Sequence, residues 1–497
     1  MKITLLVIVF VFCWTTEASP SCHVTLINPT KNVEDNTNRM QHALDENDCV
    51  RLERGDWTTS GVTITGSDKR LIIDPDARIV AVINVTKTAV VHVNNAEHVT
   101  IEGGGTIYGN AEYGWESFSA YDDRYSPYDD DGSVGRPNVL LITKSQDIVL
   151  RDLHLHNSTD WTLRMEQSRD IFAENLDIYG DSRFPNNDGF DPVSCVVRNL
   201  FLVISYKSTQ THTHTQQNVT LINSRIEVAD DGICPKASAG MGPLKDFVVR
   251  NTTVRSHSHA IKFGSNTDTD MFNVLFDNIT IWDSNGGMSI QQRSQGNIMN
   301  VTFSNINIET RYESPRWWGN GEWLAVTNSP RDNGYAIGQI RGLKFVNITG
   351  RSENGGILSG LSGGAHDILF ENINMKIETY GNYSDGPLPC FQNPVICSND
   401  TEHICIEQTA VPGSQISCLG SLDYRPTPMG NCSFYCRSAS KANGVFLENA
   451  HDVTFKNVTF EFETPRKDYF GTCLKVDKRS TNVVGSDSIR CIGGGGY

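Results

Sequence analysis

Nine stretches of this 497-residue chain repeat one pattern: an apolar alternation, then Asn or Asp, then apolar-x-apolar. They read DIVLRDLHL, DIFAENLDI, NVTLINSRI, DFVVRNTTV, NVLFDNITI, NVTFSNINI, GLKFVNIT, DILFENINM and DVTFKNVTF. The matched positions are Asp152, Asn175, Asn223, Asn251, Asn278, Asn305, Asn347, Asn372 and Asn457, separated by 23, 48, 28, 27, 27, 42, 25 and 85 residues. A unit this short cannot bury an apolar face by itself, so successive units must stack and share one core. Leucine-rich repeats and parallel β-helices have periods in this range. Here Val, Ile, Phe and Thr fill the apolar slots, alternation has period two, and no helical pattern intervenes. The expected fold is therefore all-β: a single-stranded, right-handed parallel β-helix. Its recurring Asn should turn inward and form a hydrogen-bonded ladder along a bend.

A solenoid needs its ends covered. DNTNRMQHALDEN, residues 35–47, reads as a short amphipathic capping helix with Asp35 or Asn36 as N-cap. Ahead of it, MKITLLVIVFVFCWTTEAS has a basic residue, an apolar run and then small residues, the pattern of a secretory signal ending near Ala18 or Ser19. The expected organisation is a signal over 1–19 and one β-helix over 20–497. Later apolar runs fall short of the roughly 18 residues of a membrane span, so no membrane partner is expected. The formal net charge of −16 argues against nucleic acid. A soluble, exported monomer is expected.

Of the thirteen cysteines, Cys13 lies in the signal, and the even remainder suggests disulfides in an exported chain. Cys22 and Cys49 are placed to staple the N-terminus. Cys390, Cys397, Cys405, Cys418, Cys432 and Cys436 crowd a stretch, 376–446, that interrupts the repeat. Frequent Asn-x-Ser/Thr sequons mark a glycoprotein, although the repeat should turn some of them inward.

The gap of 48 contains VVRNLFLVISYKSTQTHTHTQ, residues 196–216, which fits neither strand nor turn chemistry. Removing its 21 residues leaves 27, the ordinary period, and joins Cys195 to Gln217. The segment is accordingly suspected to be a retained intron or a gene-model error, with a surface loop as the alternative. Its His212 and His214 are expected to be solvated rather than metal ligands.

Against this background EVADDGICPK, residues 227–236, is anomalous. Two adjacent carboxylates, Asp230 and Asp231, stand in a strand-like setting, where an unpaired buried charge is costly and a second like charge aggravates it. In a regular strand they would point to opposite sides; they can share a face only at a bend, which Gly232 permits. FPNNDGFDPVSC places Asp188 about one coil earlier once the 21 suspect residues are discounted. One coil later comes VRSHSHAIKFGS with His257 and His259, and beyond it NGGMSIQQRS with Gln291, Gln292 and Arg293. Neighbouring rungs, roughly 4.8 Å apart, would thus bring carboxylates, an imidazole, amides and a guanidinium to one groove.

These residues resemble glycoside hydrolase family 28, the polygalacturonases and their relatives. The resemblance runs from the helix at 35–47 to about residue 375. The family's Asn-Thr-Asp motif is similar to Asn186-Asn187-Asp188, its Asp-Asp motif to Asp230-Asp231, and its Gly-His-Gly motif to Ser258-His259-Ala260. Its Arg-Ile-Lys motif falls on Ser289-Ile290-Gln291, without the two cations. The resemblance implies hydrolysis of a pectin-like, galacturonan-type polysaccharide with inversion and without metal or other cofactor. Asp230 would be the general acid, Asp188 with Asp231 would hold and deprotonate water, and His259 would tune the acid or contact the sugar. Lys236, Lys262, Gln291 and Arg293 would bind substrate, and the Trp317-Trp318 pair could stack on sugar rings. Inverting hydrolysis needs one protonated carboxyl and one ionised carboxylate about 6.5–9.5 Å apart, and crowded carboxylates supply both protonation states. The rival readings are a β-helix polysaccharide lyase, with calcium and a basic proton acceptor, and a non-catalytic glycan-binding protein.

Overall fold

The computed structural model describes residues 22, 24–82, 86, 88–112, 136–182, 184, 186–195, 219–312, 319, 321–328, 336–360, 364–379, 442–466 and 470–493, with the backbone of 395–396 and 404–405. Their strands pair almost entirely in parallel, each with its counterpart one coil away. One register column runs Val99, Ile148, Ile171, Val219, Phe247, Val274, Val301, Leu343, Ile368, Val453 and Val483. It runs through all nine repeats read from the sequence, so the parallel β-helix expectation holds. Because every coil presents the same register, equal side chains meet. Phe276, Phe303, Phe345, Phe370 and Phe455 stack at 5.2, 5.3, 5.0 and 5.0 Å between ring centres. Burying one such ring contributes about 2–3 kcal/mol, and stacking adds roughly 0.5–1.5 kcal/mol per pair.

The recurring Asn does form a ladder, but on the outside. Asn175, Asn223, Asn251, Asn278, Asn305, Asn347, Asn372 and Asn457 all have φ between 50° and 56° and are exposed. Asn251 donates to Asn223 at 3.1 Å, Asn278 to Asn251 at 2.8 Å, Asn372 to Asn347 at 2.9 Å and Asn457 to Asn372 at 2.8 Å. The inward expectation is corrected by backbone geometry. Asn tolerates the left-handed conformation better than other side-chain-bearing residues, and here that conformation turns the side chain outward. The sequons at Asn251, Asn278, Asn347 and Asn457 are therefore not turned inward.

The N-terminal helix spans Val33–Glu46, and its N-cap is Asn32, whose side chain accepts from the Asp35 amide. The cap thus lies before Asp35 and Asn36; Asn36 is instead buried, donating to Thr30 and Thr58. Met40, Ala43 and Leu44 close the first coil. Cys22–Cys49 is a disulfide, as expected, and Cys473–Cys491 is another near the end of the repeat. Cys195 and Cys234 are buried and join no disulfide among the described residues, so the even count does not resolve wholly into pairs there. The cysteine side chains of 390–436, residues 196–216 with His212 and His214, Trp317 and Trp318, and the signal stretch 1–19 lie outside the described residues. On either side of 196–216 the coils stay in register: Ile171 pairs with Val219, and Val219 with Phe247. No described helix is long and apolar enough to cross a membrane.

Candidate active site

A second, shorter set of strands lines one face: Phe190–Val193, His259–Phe263, Gly286–Gln292 and Glu322–Asn328. Phe190 bridges to Ile233, Ile233 to Ile261, Ile261 pairs with Met288, and Met288 with Leu324. Two residues earlier this register aligns Asp188, Asp231, His259, Gly286 and Glu322 in one column. The Gly189 amide donates to the Asp231 carbonyl at 2.9 Å, which fixes Asp188 and Asp231 on adjacent rungs.

Asp230 and Asp231 sit where the strand Arg225–Val228 ends in a bend. The bend is held by Asn187, whose Oδ1 accepts from the amides of Ala229 and Asp230, each at 3.0 Å, while its Nδ2 donates to the Asp181 carbonyl at 3.1 Å. Asn divides accepting and donating between two atoms, whereas a threonine would have to do both through its single hydroxyl oxygen. Gly232 has no left-handed φ. It is needed because a Cβ would come within 2.6 Å of the Ala260 carbonyl oxygen on the next coil.

The charged side chains are almost completely buried. Asp188 and Asp230 are 4% exposed, Asp231 and His259 2%, Lys236 and Lys262 5%. The Asp230 carboxylate accepts from the amides of Asp231, at 3.0 Å, and Asn186, at 3.2 Å. The Lys262 ammonium binds Asp231 Oδ2 at 2.8 Å. That of Lys236 binds Asp188 Oδ2 at 2.9 Å and also Asp191 Oδ1. Burial pushes the Asp191 carboxyl well above the usual carboxylate range, and that of Asp188 up, each against the pull of Lys236. Burial alone would lower the Lys236 ammonium, but the two carboxylates outweigh it and hold it well above its ordinary value. The oxygens of Asp188 and Asp191 and the Cys234 thiol lie within metal-ligand reach of one another, but Lys236 already supplies the cation between the two carboxylates.

Further along the groove, Gln291 is 5% exposed and Arg293 2%. Gln291 Oε1 and Ser289 Oγ are buried without a hydrogen-bond partner among the described residues. His257 turns to Arg255, 3.1 Å away, rather than into the aspartate cluster.

Three residues here escaped the sequence reading. Asp191 belongs to the quoted NNDGFD stretch and shares Lys236 with Asp188. Trp161 lies one coil before Asp188: the Thr162 amide donates to the Asp188 carbonyl at 2.7 Å, and the Lys236 ammonium sits 4.0 Å from the indole centre. Glu322, fully buried, lies 2.9 Å from His259 Nε2. No motif marks Glu322, which is 63 residues from His259; the only available signal was the carboxylate opening EWLAVTN.

The family profile Glycosyl hydrolases family 28 matches residues 58–200, a stretch that contains Asn186-Asn187-Asp188 and ends before Asp230. A polygalacturonase of Persea americana is 24% identical over 222 residues, covering 44% of this chain and 41% of the relative. A probable polygalacturonase of Vitis vinifera is 24% identical over 358 residues, covering 69% and 60%. The chain thus spans about two fifths to three fifths of the length of these relatives. Among solved structures, a polygalacturonase of Erwinia carotovora superposes with a TM-score of 0.56 at 17% identity, covering 73% of this chain and 94% of that one. The shared architecture is the right-handed parallel β-helix.

Proposed function

We propose that this chain, which belongs to glycosyl hydrolases family 28, is an exported hydrolase that cleaves a galacturonan-type polysaccharide with inversion. The observation that carries the reading is the convergence of Asp188, Asp230 and Asp231 on adjacent rungs of a chain with polygalacturonase relatives. In this reading Asp230 protonates the leaving oxygen. Asp231, bound to Lys262, receives the proton of the attacking water, and Asp188, bound to Lys236, lies on the adjacent rung beside it. The anomeric carbon gains the water oxygen as its bond to the leaving oxygen breaks, so configuration inverts.

The lysines act mainly on the enzyme. Their charge offsets the desolvation of the aspartates, and little remains for a substrate carboxylate. Ser289 and Gln291 can bond a hydroxyl but cannot pair with a carboxylate as an Arg would. The subsite they line therefore suits a sugar without an ionised carboxylate, such as a rhamnose-type neighbour in a mixed galacturonan. Trp161 offers an apolar face to a ring on the opposite side of the cut.

The test is to incubate the purified chain with a panel of plant and algal polysaccharides and score reducing ends. Turnover of a galacturonan-type polymer that Asp230→Asn abolishes, with binding retained, supports the proposal. Products absorbing through a new double bond would indicate a lyase instead. Glycan binding unaffected by Asp230→Asn, with no turnover, would indicate a lectin.

A further inference from the structure

The column that carries Asp231 and His259 has a gap and then a second acid. Gly286 follows His259 in register, and Glu322 follows Gly286. Any Cβ at 286 would collide with the His259 ring and stand 3.1 Å from Glu322 Oε1. Its absence lets Glu322 reach across a whole coil to His259 Nε2. On the other side of the ring, His259 Nδ1 lies 3.9 Å from Asp231 Oδ1. Both atoms are buried without a hydrogen-bond partner among the described residues. Buried polar atoms in native proteins are rarely left unbonded, and each such case needs an explanation.

We propose that Glu322 is a positioning residue. It keeps the His259 proton on Nε2 and so makes Nδ1 an acceptor, and the span between Nδ1 and Asp231 Oδ1 binds the attacking water through both of its hydrogens. This rests on the hydrolase reading above and deepens it. The tautomer follows from the partner, because a carboxylate beside Nε2 requires the N–H there. Nδ1 and the Asp231 oxygen opposite it, whose carboxylate Lys262 binds at the far oxygen, are then two acceptors facing each other, so their shared ligand must donate twice. Water does this, whereas a sugar hydroxyl has one hydrogen. An oxygen about 2.8 Å from both atoms subtends roughly 90° across the 3.9 Å span. In the reaction the water oxygen bonds to the anomeric carbon, one hydrogen passes to Asp231, and the other remains on the product hydroxyl. The charged groups around the ring are Asp231 from the preceding coil and Glu322 from two coils on. Lys262, on the histidine's own strand, binds the far oxygen of Asp231.

Two measurements on the full chain test this. ¹⁵N-histidine NMR, with His259 assigned by its loss in His259→Asn, reads the tautomer without substrate. It should show Nε2–H in the wild type and in Glu322→Gln, whose carboxamide oxygen still accepts, and a mixture in Glu322→Leu. An unchanged tautomer in a folded Glu322→Leu overturns the positioning role, whatever the chain hydrolyses. On the polysaccharide the panel identifies, Glu322→Leu should lower kcat with KM within about twofold, by at most the roughly 10⁴-fold that a catalytic histidine in the wrong tautomer costs. A raised KM with kcat unchanged would place a sugar hydroxyl in the span and overturn the water. Should Glu322→Leu not fold, Gly286→Ala, which intrudes on the ring, reports the same two quantities. Absence of turnover on every glycan defeats the hydrolase reading and leaves the NMR result standing.

Discussion

The asparagine ladder and the aspartate column are both built by placing polar side chains in register on successive coils, yet they follow opposite rules of burial. Along the ladder each amide is exposed and has a left-handed backbone, and most repeat the bond a neighbouring Asn makes, while Asn223 and Asn305 donate to Glu174 and Asp277. Along the aspartate column unlike groups follow one another, 0–4% exposed at Asp188, Asp231, His259 and Glu322, and Asp231 Oδ1 and His259 Nδ1 have no hydrogen-bond partner among the described residues. Repetition satisfies a polar group with a copy of itself. A column of unlike charges cannot do this, so it keeps atoms available to a ligand and must borrow lysines to keep its carboxylates tolerable. The ladder is what stacked coils produce by default; the column departs from it, as functional sites commonly do.

The sharpest test of this contrast is Asp231→Asn. It should lower kcat by about 10³-fold, within the range for losing a general base, and also lower the melting temperature, because Lys262 is left buried without its carboxylate; turnover retained in the folded variant would make the column structural. The reverse is expected in the core. Phe303→Ala should cost about 3–5 kcal/mol in urea unfolding, with turnover per folded molecule intact. The next effect is on pH. Because burial raises the carboxyls of Asp188 and Asp191, their contribution to stability is complete below the unfolded value of about 4. It is lost as pH rises through the folded values. Asp191→Asn should flatten that decline, as melting temperatures across pH 4–8 would show; an unchanged slope would contradict it.

Asn278→Ala should cost only about 1 kcal/mol, from a left-handed residue and a shared hydrogen bond, and Asn278→Gly less. The smallest effect has the opposite pH sign. On the surface, Asp177 Oδ2 lies 3.0 Å from both His154 Nδ1 and His156 Nε2. Hydrogen bonding, first from His156 and then from His154, lowers the Asp177 carboxyl to about 2 despite partial burial. Its stabilisation is present above about 4 and lost as pH falls toward 2. Asp177→Asn should therefore cost below about 1 kcal/mol at pH 6, since the pair is solvent-screened, and nothing near pH 2.

The period, the parallel stacking, the apolar column and the Cys22–Cys49 staple were all legible in the residues, because each is a local pattern repeated at constant spacing. Asp188, Asp230, Asp231 and His259 could be singled out because carboxylates and an imidazole break that pattern. The direction of the ladder was misread, since alternation alone does not reveal a left-handed residue at the bend. Glu322 was invisible. It meets His259 only because one intervening coil carries glycine, and no fixed spacing encodes a contact across coils of unequal length.

The amino-acid sequence by itself determined that the chain coils, where its rungs begin, and which few acids and bases stand out of pattern. Only the tertiary structure decided which of these touch: that Lys236 serves Asp188 and Asp191, that Asn187 holds the bend, and that Glu322 faces His259. The reason is that periodic hydrophobic burial is summed over many equivalent positions and survives any single exception. A hydrogen bond depends on two particular atoms within about 3 Å, a distance set by the register of coils far apart in the chain.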